Sequence, residues 1–359
     1  MKKIFYSICL VALAASCTKN DVSYDVAEQI SLAPLAQKST KAALAQGAVP
    51  TENLIVSANA GMPGSAASAC SELYFDKVEF VNNNSGIFTA NGYFWPNVKH
   101  LSFAGVTKSA GVNISDVEID VDANSIIITD YPQQQFGTEQ NDLMWFEHTS
   151  PVGKTDDAID VTLKHACSWI VLNFKGTEDT GATRPWKITK VTIDNLSVKE
   201  TATLAYTQDS PTEAVAVWTE NNQDANLASL TVYEYTKTDA EVAANAKHVG
   251  QSLSSSTAFT PDATGIIIIP QTPTRISVTY NYISQVRDDA EGGNIVIEET
   301  ATAELDYDGS NKWAAGKKYT YDVTIGAKSI KIAPTAGTWV DYDSDGNSAN
   351  GNQSIPETI

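Results

Sequence analysis

Cysteine and arginine are both scarce in this 359-residue sequence. After Cys17 only Cys70 and Cys167 remain, and two cysteines can form neither a disulfide scaffold nor a four-cysteine zinc site. Cys70 lies in a stretch of small residues, and Cys167 lies in a predicted strand. We therefore expect two buried free thiols, with a disulfide between them as the alternative.

Positive charge is also in short supply. The chain has 24 lysines and arginines against 43 acidic residues, a formal net charge of −19. Nucleic-acid binding depends on lysine and arginine contacts to phosphate, so a nucleic-acid partner is excluded. The same charge balance argues against binding to anionic membrane surfaces.

Catalytic motifs are missing as well. The sequence contains no Gly-x-Ser-x-Gly, no His-Glu-x-x-His and no Gly-x-Gly-x-x-Gly. Its four histidines are scattered without metal-ligand spacing, and His165 shares the apolar face of a predicted strand with Leu163 and Cys167. We interpret His165 as a core histidine with a satisfied hydrogen bond, and we expect no enzyme and no cofactor.

The N-terminus carries a clear export pattern. Lys2 and Lys3 precede an apolar stretch from Ile4 to Ala15, and small residues then lead to Cys17. The stretch is too short to span a bilayer, so residues 1–16 are predicted to be a bacterial lipoprotein signal peptide with lipid attached to Cys17. The alternative is an ordinary signal peptide followed by a chance cysteine. Residues 17–49 are poor in large apolar side chains and are predicted to be a lipidated tether.

The sequence from about residue 50 to residue 340 is predicted to form mainly β-strands. Apolar and polar residues alternate over 159–165, 276–282 and 319–325, a period of two that marks strands with one buried face. The run from Gly265 to Pro270 predicts a short central strand, and Asp239 to Val249 predicts one helix. Because 290 residues are too many for one typical domain, we predict an all-β protein with sandwiches at 50–200 and 201–340 and a flexible acidic tail at 341–359.

Two segments are candidate ligand sites. Consecutive aromatic residues at Tyr93, Phe94 and Trp95 can stack on a sugar ring, but they are more typical of a core. Asp341, Asp343 and Asp345 resemble the opening of a calcium loop; Asn352 stands where the bidentate glutamate belongs, so a solvated acidic tail is the favoured interpretation.

Six segments between about residues 80 and 340 carry a recognisable pattern. They are Phe88 to Pro96 with Val98 to Phe103, Asn141 to Met144, Val161 to Ser168, Ile268 to Thr272, Trp313 to Tyr321, and Ile330 to Pro334 with Trp339. In this order, the segments resemble those of the fimbrillin-like surface lipoproteins of Bacteroidetes.

This resemblance implies two tandem transthyretin-like β-sandwiches and a surface-exposed lipoprotein of the outer membrane. It implies partners among other fimbrial subunits, assembly by strand exchange after proteolysis of the N-terminal segment, and a host or bacterial surface ligand for an adhesin. Family members are processed after an arginine; here Lys38 and Lys41 are the only basic candidates near the predicted site, and the tail has no alternating apolar face. An anchor, tip or accessory subunit, or a stand-alone surface lipoprotein, is thus expected at least as readily as a stalk pilin. The alternative is a glycan-binding lipoprotein of a polysaccharide-uptake system.

Overall fold

The fold comes from a computed structural model. It describes residues 28–36, 50–64, 66, 69–83, 85–109, 112–133, 140, 142–177, 186–197, 199–207, 210–219, 227–261, 265–272, 275–285, 295–304, 313–326, 329–338 and 353–354. Within this part of the chain, no helix is both long and apolar enough to cross a membrane.

The described residues form mostly strands, as the alternating sequence predicts. The first eleven strands are β1 Gln29–Ala36, β2 Leu54–Gly61, β3 Glu72–Asn82, β4 Phe88–Phe94, β5 His100–Thr107, β6 Val117–Asp120, β7 Ser125–Pro132, β8 Met144–Val152, β9 Ile159–His165, β10 Ser168–Gly176 and β11 Lys187–Ser197. The others are β12 Lys199–Thr207, β13 Ser210–Thr219, β14 Leu227–Glu234, β15 Gln251–Ser252, β16 Ile266–Ile268, β17 Arg275–Gln285, β18 Ile295–Glu304, β19 Lys317–Gly326, β20 Ser329–Thr338 and β21 Gln353–Ser354. A 3-10 turn, Ile114–Asp116, precedes β6, and one α-helix, α1 Asp239–Ala243, follows β14.

These strands form four sheets. Seven strands close on themselves in the order β1-β4-β3-β2-β5-β8-β9, because β9 pairs back with β1. A second sheet has the order β16-β10-β19-β20-β21, and a third has the order β14-β11-β17-β18, with β15 also pairing with β11. The fourth sheet has the order β13-β12-β7-β6.

Three apolar clusters hold the sheets together. One fills the closed sheet, and another joins the β10-containing sheet to the β11-containing sheet. The third contains residues of the fourth sheet together with the opposite faces of β2, β8 and β10. Strand β2 is therefore buried on both sides: Leu54 and Val56 lie in the closed sheet, and Ile55 lies in the shared cluster. Burial of both faces makes β2 a central strand of the core.

The isoleucine run at 265–270 is buried but not central. Among the described strands, β16 pairs with β10 alone and lies at the edge of its sheet, so the prediction of a central strand is wrong. Its outer edge is covered by side chains instead. The Gln133 amide donates to the Ile267 carbonyl at 3.0 Å and accepts from the Ile269 N–H at 2.9 Å, and Gln140 accepts from the Ile267 N–H at 2.8 Å. These amides satisfy backbone groups that an open edge leaves unpaired.

Other predictions need correction in detail. The predicted helix ends at Ala243 rather than Val249, because Asn245 adopts a left-handed backbone conformation (φ 47°). Its start is stabilised by a reciprocal cap, in which the Glu241 side chain accepts from the Thr238 N–H at 2.9 Å. The helix is thus a single short turn.

Hydrogen-bonded pairing crosses residue 200, where the sequence predicts a domain boundary. Strands β10 and β11 precede that position but pair with β19 and β17, whereas β12, most of which follows it, pairs with β7. The sheets thus combine strands from both sides of residue 200. The division into two domains at 50–200 and 201–340 stays a prediction. The predicted tether is also only partly a tether, because it contains β1. Of the predicted tail, Gln353–Ser354 pair with β20, and the other residues lie outside the described part of the chain.

Candidate functional site

Strand β1 closes the seven-stranded sheet. Residues Gln29 to Leu32 pair with β4 in antiparallel orientation, and residues Leu32 to Ala36 pair with β9 in parallel orientation. The strand therefore changes partner at Leu32, where β4 and β9 are held together. Pro34 is tolerated because it pairs with β9 on one side and lies beyond the register with β4. We call β1 the clasp strand.

The clasp strand is held mainly by two apolar side chains. Ile30 and Leu32 are fully buried in the core of the closed sheet. Polar contacts add to this hold: the Gln29 side-chain amide donates to the Ala90 carbonyl at 2.9 Å, and the Trp95 backbone N–H donates to the Glu28 carbonyl at 2.8 Å. Full burial stabilises a side chain of this size by about 1.5 to 3 kcal/mol. Loss of the clasp strand therefore removes about 3 to 6 kcal/mol of apolar burial, and it exposes the apolar groove between β4 and β9.

The candidate aromatic residues do not form one exposed platform. Trp95 is buried in the core of the closed sheet, where its ring meets the edge of Phe103 at 6.0 Å between centroids. Tyr93 is half-buried and packs edge-on against Phe75 at 5.2 Å. Only Phe94 is exposed, and a single exposed ring does not provide the flat surface on which a sugar stacks.

His165 is a buried core residue, as its position in the alternating pattern predicts. Its Nδ1 contacts the Asp142 carboxylate, and both side chains are more than nine-tenths buried. Nearby Cys167 is also buried, and burial, together with the negative charge of Asp142, raises the pKa of its thiol well above the ordinary value. A thiol that stays protonated is a poor nucleophile.

Both cysteines after Cys17 are free and buried, which confirms that expectation. Among the described residues, no group of three or more histidine, cysteine, aspartate or glutamate side chains is placed to hold a metal ion. Six candidate residues lie outside the described part of the chain, so their assignments stay predictions: the lipidation site Cys17, the processing sites Lys38 and Lys41, and the calcium candidates Asp341, Asp343 and Asp345.

Sequence reasoning missed the clasp strand, although its signal is present. Gln29, Ile30, Ser31 and Leu32 alternate between polar and apolar, and the structure buries Ile30 and Leu32 as that pattern requires. The sequence also predicts Glu52 to Ala58 as an early strand that proteolysis after Lys38 or Lys41 loosens. The strand itself is confirmed as β2, which lies between β3 and β5 in the core. Its loosening stays a prediction, and β1, on the N-terminal side of Lys38 and Lys41, is the better candidate for release.

These features define an all-β protein of packed sheets. The first strand that the structure describes closes a sheet, and a long segment separates it from the next described strand. The fimbrillin-like family model matches residues 54–339. The chain therefore belongs to the fimbrillin-like family.

The fold is shared with a solved structure. A fimbrial protein from Bacteroides vulgatus is 15% identical over 86% of this chain and 99% of its own, with a TM-score of 0.60. The tip fimbrial protein Mfa3 from Porphyromonas gingivalis, with a C-terminal truncation, is 10% identical over 86% of this chain and 100% of its own, with a TM-score of 0.32. No curated protein matches this chain.

Proposed function

We propose that this chain is a non-enzymatic fimbrial subunit or adhesin on the cell surface, attached to the outer membrane by lipid at Cys17. Family membership supports the fimbrial class, and the export pattern before Cys17 supports the anchor. The role within a fimbrium is that of an anchor, tip or accessory subunit, which contacts other fimbrial subunits and, as an adhesin, a host or bacterial surface ligand.

The clasp strand is the observation that carries this proposal. A cut after Lys38 or Lys41 separates β1 from β2, and β1 is then held only by its own contacts. When it leaves, β4 and β9 each lose a hydrogen-bonded neighbour, and the groove that held Ile30 and Leu32 opens. An extended strand from another subunit can fill that groove by adding main-chain hydrogen bonds and alternate apolar side chains.

The glycan-binding alternative is less well supported. It depends on Tyr93, Phe94 and Trp95 as a stacking surface, and two of these three side chains are packed in or against the core of the closed sheet. The burial of Trp95, together with an early strand that lies in a groove, favours subunit assembly.

Cleavage at the clasp strand tests the assembly role. A protease site introduced between Lys38 and Lys41 allows β1 to be released, and we expect the cut protein to form detergent-resistant complexes with co-purified fimbrial subunits. We expect weak homopolymers or none, because the polar C-terminal tail has no alternating apolar face with which to fill the groove of another copy. The readout is an unheated denaturing gel.

A second site placed between residues 18 and 27 is the matched control. Cutting there uses the same protease but keeps β1 attached to β2, so no complexes are expected. Equal complex formation after both cuts contradicts the proposal, and long homopolymers of the protein cut between Lys38 and Lys41 identify a stalk pilin instead.

Replacing Cys17 tests the anchor. We expect Cys17→Ser to shift the protein from the membrane fraction to the soluble fraction, or to stop removal of residues 1–16, because the lipid acceptor is lost. Cell fractionation and the mass of the mature protein give the readout, with Cys70→Ser as a control that leaves the anchor intact. Normal processing and unchanged membrane association of Cys17→Ser contradict the lipid anchor.

A further inference from the structure

A cleft of about 540 Å³ lies between β6 of the four-stranded sheet and β2 and β3 of the closed sheet. Small-molecule pockets have volumes of roughly 300 to 1,000 Å³, so the cleft is large enough for an organic ligand. Five carboxylates and one ammonium group line it, which makes it strongly negative. These charged residues are Asp76, Lys77, Asp116, Glu118, Asp120 and Asp122.

Asn59 provides a separate indication of a ligand. This β2 side chain lines the cleft, is only 5% exposed and makes no hydrogen bond with any described residue. Burying a polar group without a partner is unfavourable, so the Asn59 side-chain amide, as the polar floor of the cleft, is suited to a ligand that supplies a hydrogen bond.

The cleft carboxylates divide into two groups. Asp76 accepts from the Ser57 hydroxyl at 2.7 Å, and Asp116 accepts from the Asn113 side chain at 2.8 Å. Asp120 accepts from backbone N–H groups of the following turn. Glu118 and Asp122 are exposed, and neither carboxylate has a hydrogen-bond or ion-pair partner among the described residues. These two carboxylates are therefore free to meet a cation.

An apolar side chain lies next to the polar floor. Leu73 pairs with Asn59 across β2 and β3, so both side chains are on the same face, and Leu73 is 63% exposed. A ligand with a hydrocarbon stem and a cationic head matches this arrangement, because the stem can cover Leu73 while the head reaches the carboxylates.

The geometry points to a ligand that carries alkylammonium groups. A bare metal ion does not fit, since no three acidic, histidine or cysteine side chains among the described residues converge on one point. A guanidinium group favours bidentate carboxylates and aromatic faces, whereas an ammonium group is a compact charge with three donors that suits scattered acceptors. We propose that this cleft binds an alkylammonium ligand. The acceptors are the side-chain amide oxygen of Asn59 and the carboxylates of Glu118 and Asp122. The source of the ligand is either a free polyamine or lysine side chains of another protein.

Calorimetry on the purified full-length protein tests the proposal with four probes: spermidine, a lysine-containing peptide, the same peptide with acetylated lysines, and calcium chloride. Binding of spermidine alone indicates a polyamine site, and binding of the unmodified peptide indicates lysine side chains of a partner. We expect the acetylated peptide not to bind, and we expect amine binding to weaken as salt is added.

Substitutions of exposed charged residues at the cleft rim test binding without affecting folding. Glu118→Gln with Asp122→Asn is expected to weaken amine binding roughly fivefold. Lys77→Gln is expected to strengthen it about twofold. Asn59→Ala is expected to weaken it about tenfold, and the control Asp160→Asn, an exposed acid outside the cleft, leaves it unchanged. The proposal is wrong if neither amine probe binds, if only calcium binds, if the acetylated peptide binds equally well, or if the rim variants bind amines as the unmodified protein does.

Discussion

Replacing Lys164 with alanine lowers the free energy of unfolding by about 3 to 5 kcal/mol, because Glu147 then stays buried without its cation. The Glu147 side chain is 2% exposed and the Lys164 side chain is 19% exposed, and the two side chains are in contact. The Lys164 ammonium group also lies 5.1 Å from the centre of the Trp145 ring, on the neighbouring strand. Chemical denaturation measures the loss.

The pH dependence of this variant follows from the pKa of Glu147. Burial raises that pKa above its ordinary value of 4.5, although Lys164 acts to lower it. When a carboxyl group has a higher pKa in the folded state than in the unfolded state, the folded state loses stability as pH rises. The loss begins near the unfolded-state pKa and is complete above the folded-state pKa. Loss of Lys164 raises the folded-state pKa further. The deficit of Lys164→Ala is therefore full above the folded-state pKa of the variant. It shrinks as pH falls below that value, until Glu147 is protonated in both folded proteins.

An exposed ion pair supplies the control for Lys164. Lys190 and Glu234 approach to 3.8 Å with side chains that are 43% and 65% exposed, so Lys190→Ala is expected to cost less than about 1 kcal/mol. The double variant Lys164→Met with Glu147→Leu is expected to recover most of the lost stability, because no buried charge remains. Equal losses for Lys164→Ala and Lys190→Ala contradict this account of the buried pair.

Replacing Trp95 with alanine is the second large effect, and it separates a core role from a ligand-binding role. The buried ring fills the core of the closed sheet next to Phe103, so its removal is expected to cost about 3 to 5 kcal/mol. Trp95→Phe is expected to cost less than about 1.5 kcal/mol, because the indole N–H is buried without a described partner and little polar interaction is lost. Urea unfolding gives both values.

Phe94 is the matched control for Trp95. Its side chain is 41% exposed, so Phe94→Ala is expected to change stability by about 0.5 kcal/mol or less. If Trp95→Ala is as stable as Phe94→Ala but loses binding to a polysaccharide, the aromatic cluster is a ligand site and the glycan-binding alternative is correct.

Strands with one buried face could be predicted from the sequence. Ile159, Val161 and Leu163 alternate with polar residues and lie in the core of the closed sheet, and Tyr319, Tyr321 and Val323 behave in the same way in the second cluster. This works because side chains on a strand alternate between its faces, so one buried face leaves a period of two in the sequence.

The clasp strand and the sheet edges were harder to predict. Strand β1 contains Pro34, and its stability depends on β4 and β9, which lie far along the chain. Strand β16 reads as central because its isoleucines are buried on both faces, yet glutamine side chains rather than a strand cover its edge. The local sequence pattern indicates which residues are buried, but it does not indicate which strand or side chain covers them.

The candidate sites show the same division. Burial of His165 follows from its place among apolar residues, but its contact with Asp142 joins β9 to the segment before β8, 23 residues away. The acidic cleft combines β2, β3 and β6, and no single segment reveals it. The sequence pattern therefore predicts whether individual residues are buried. The sites themselves form only when segments far apart in the sequence come together in the fold.

Hydrogen exchange tests the central claim, that β1 is a removable strand whose departure opens a specific groove. After cleavage between Lys38 and Lys41 and removal of β1, amides in β4 and β9 are expected to lose protection while β2 stays protected. A synthetic peptide spanning Glu28 to Ala36 restores that protection, and the same peptide with Leu32→Asp does not, because a charge cannot occupy the buried Leu32 site. Unchanged protection of β4 and β9 after β1 is removed, or simultaneous loss of protection in β2, contradicts the claim.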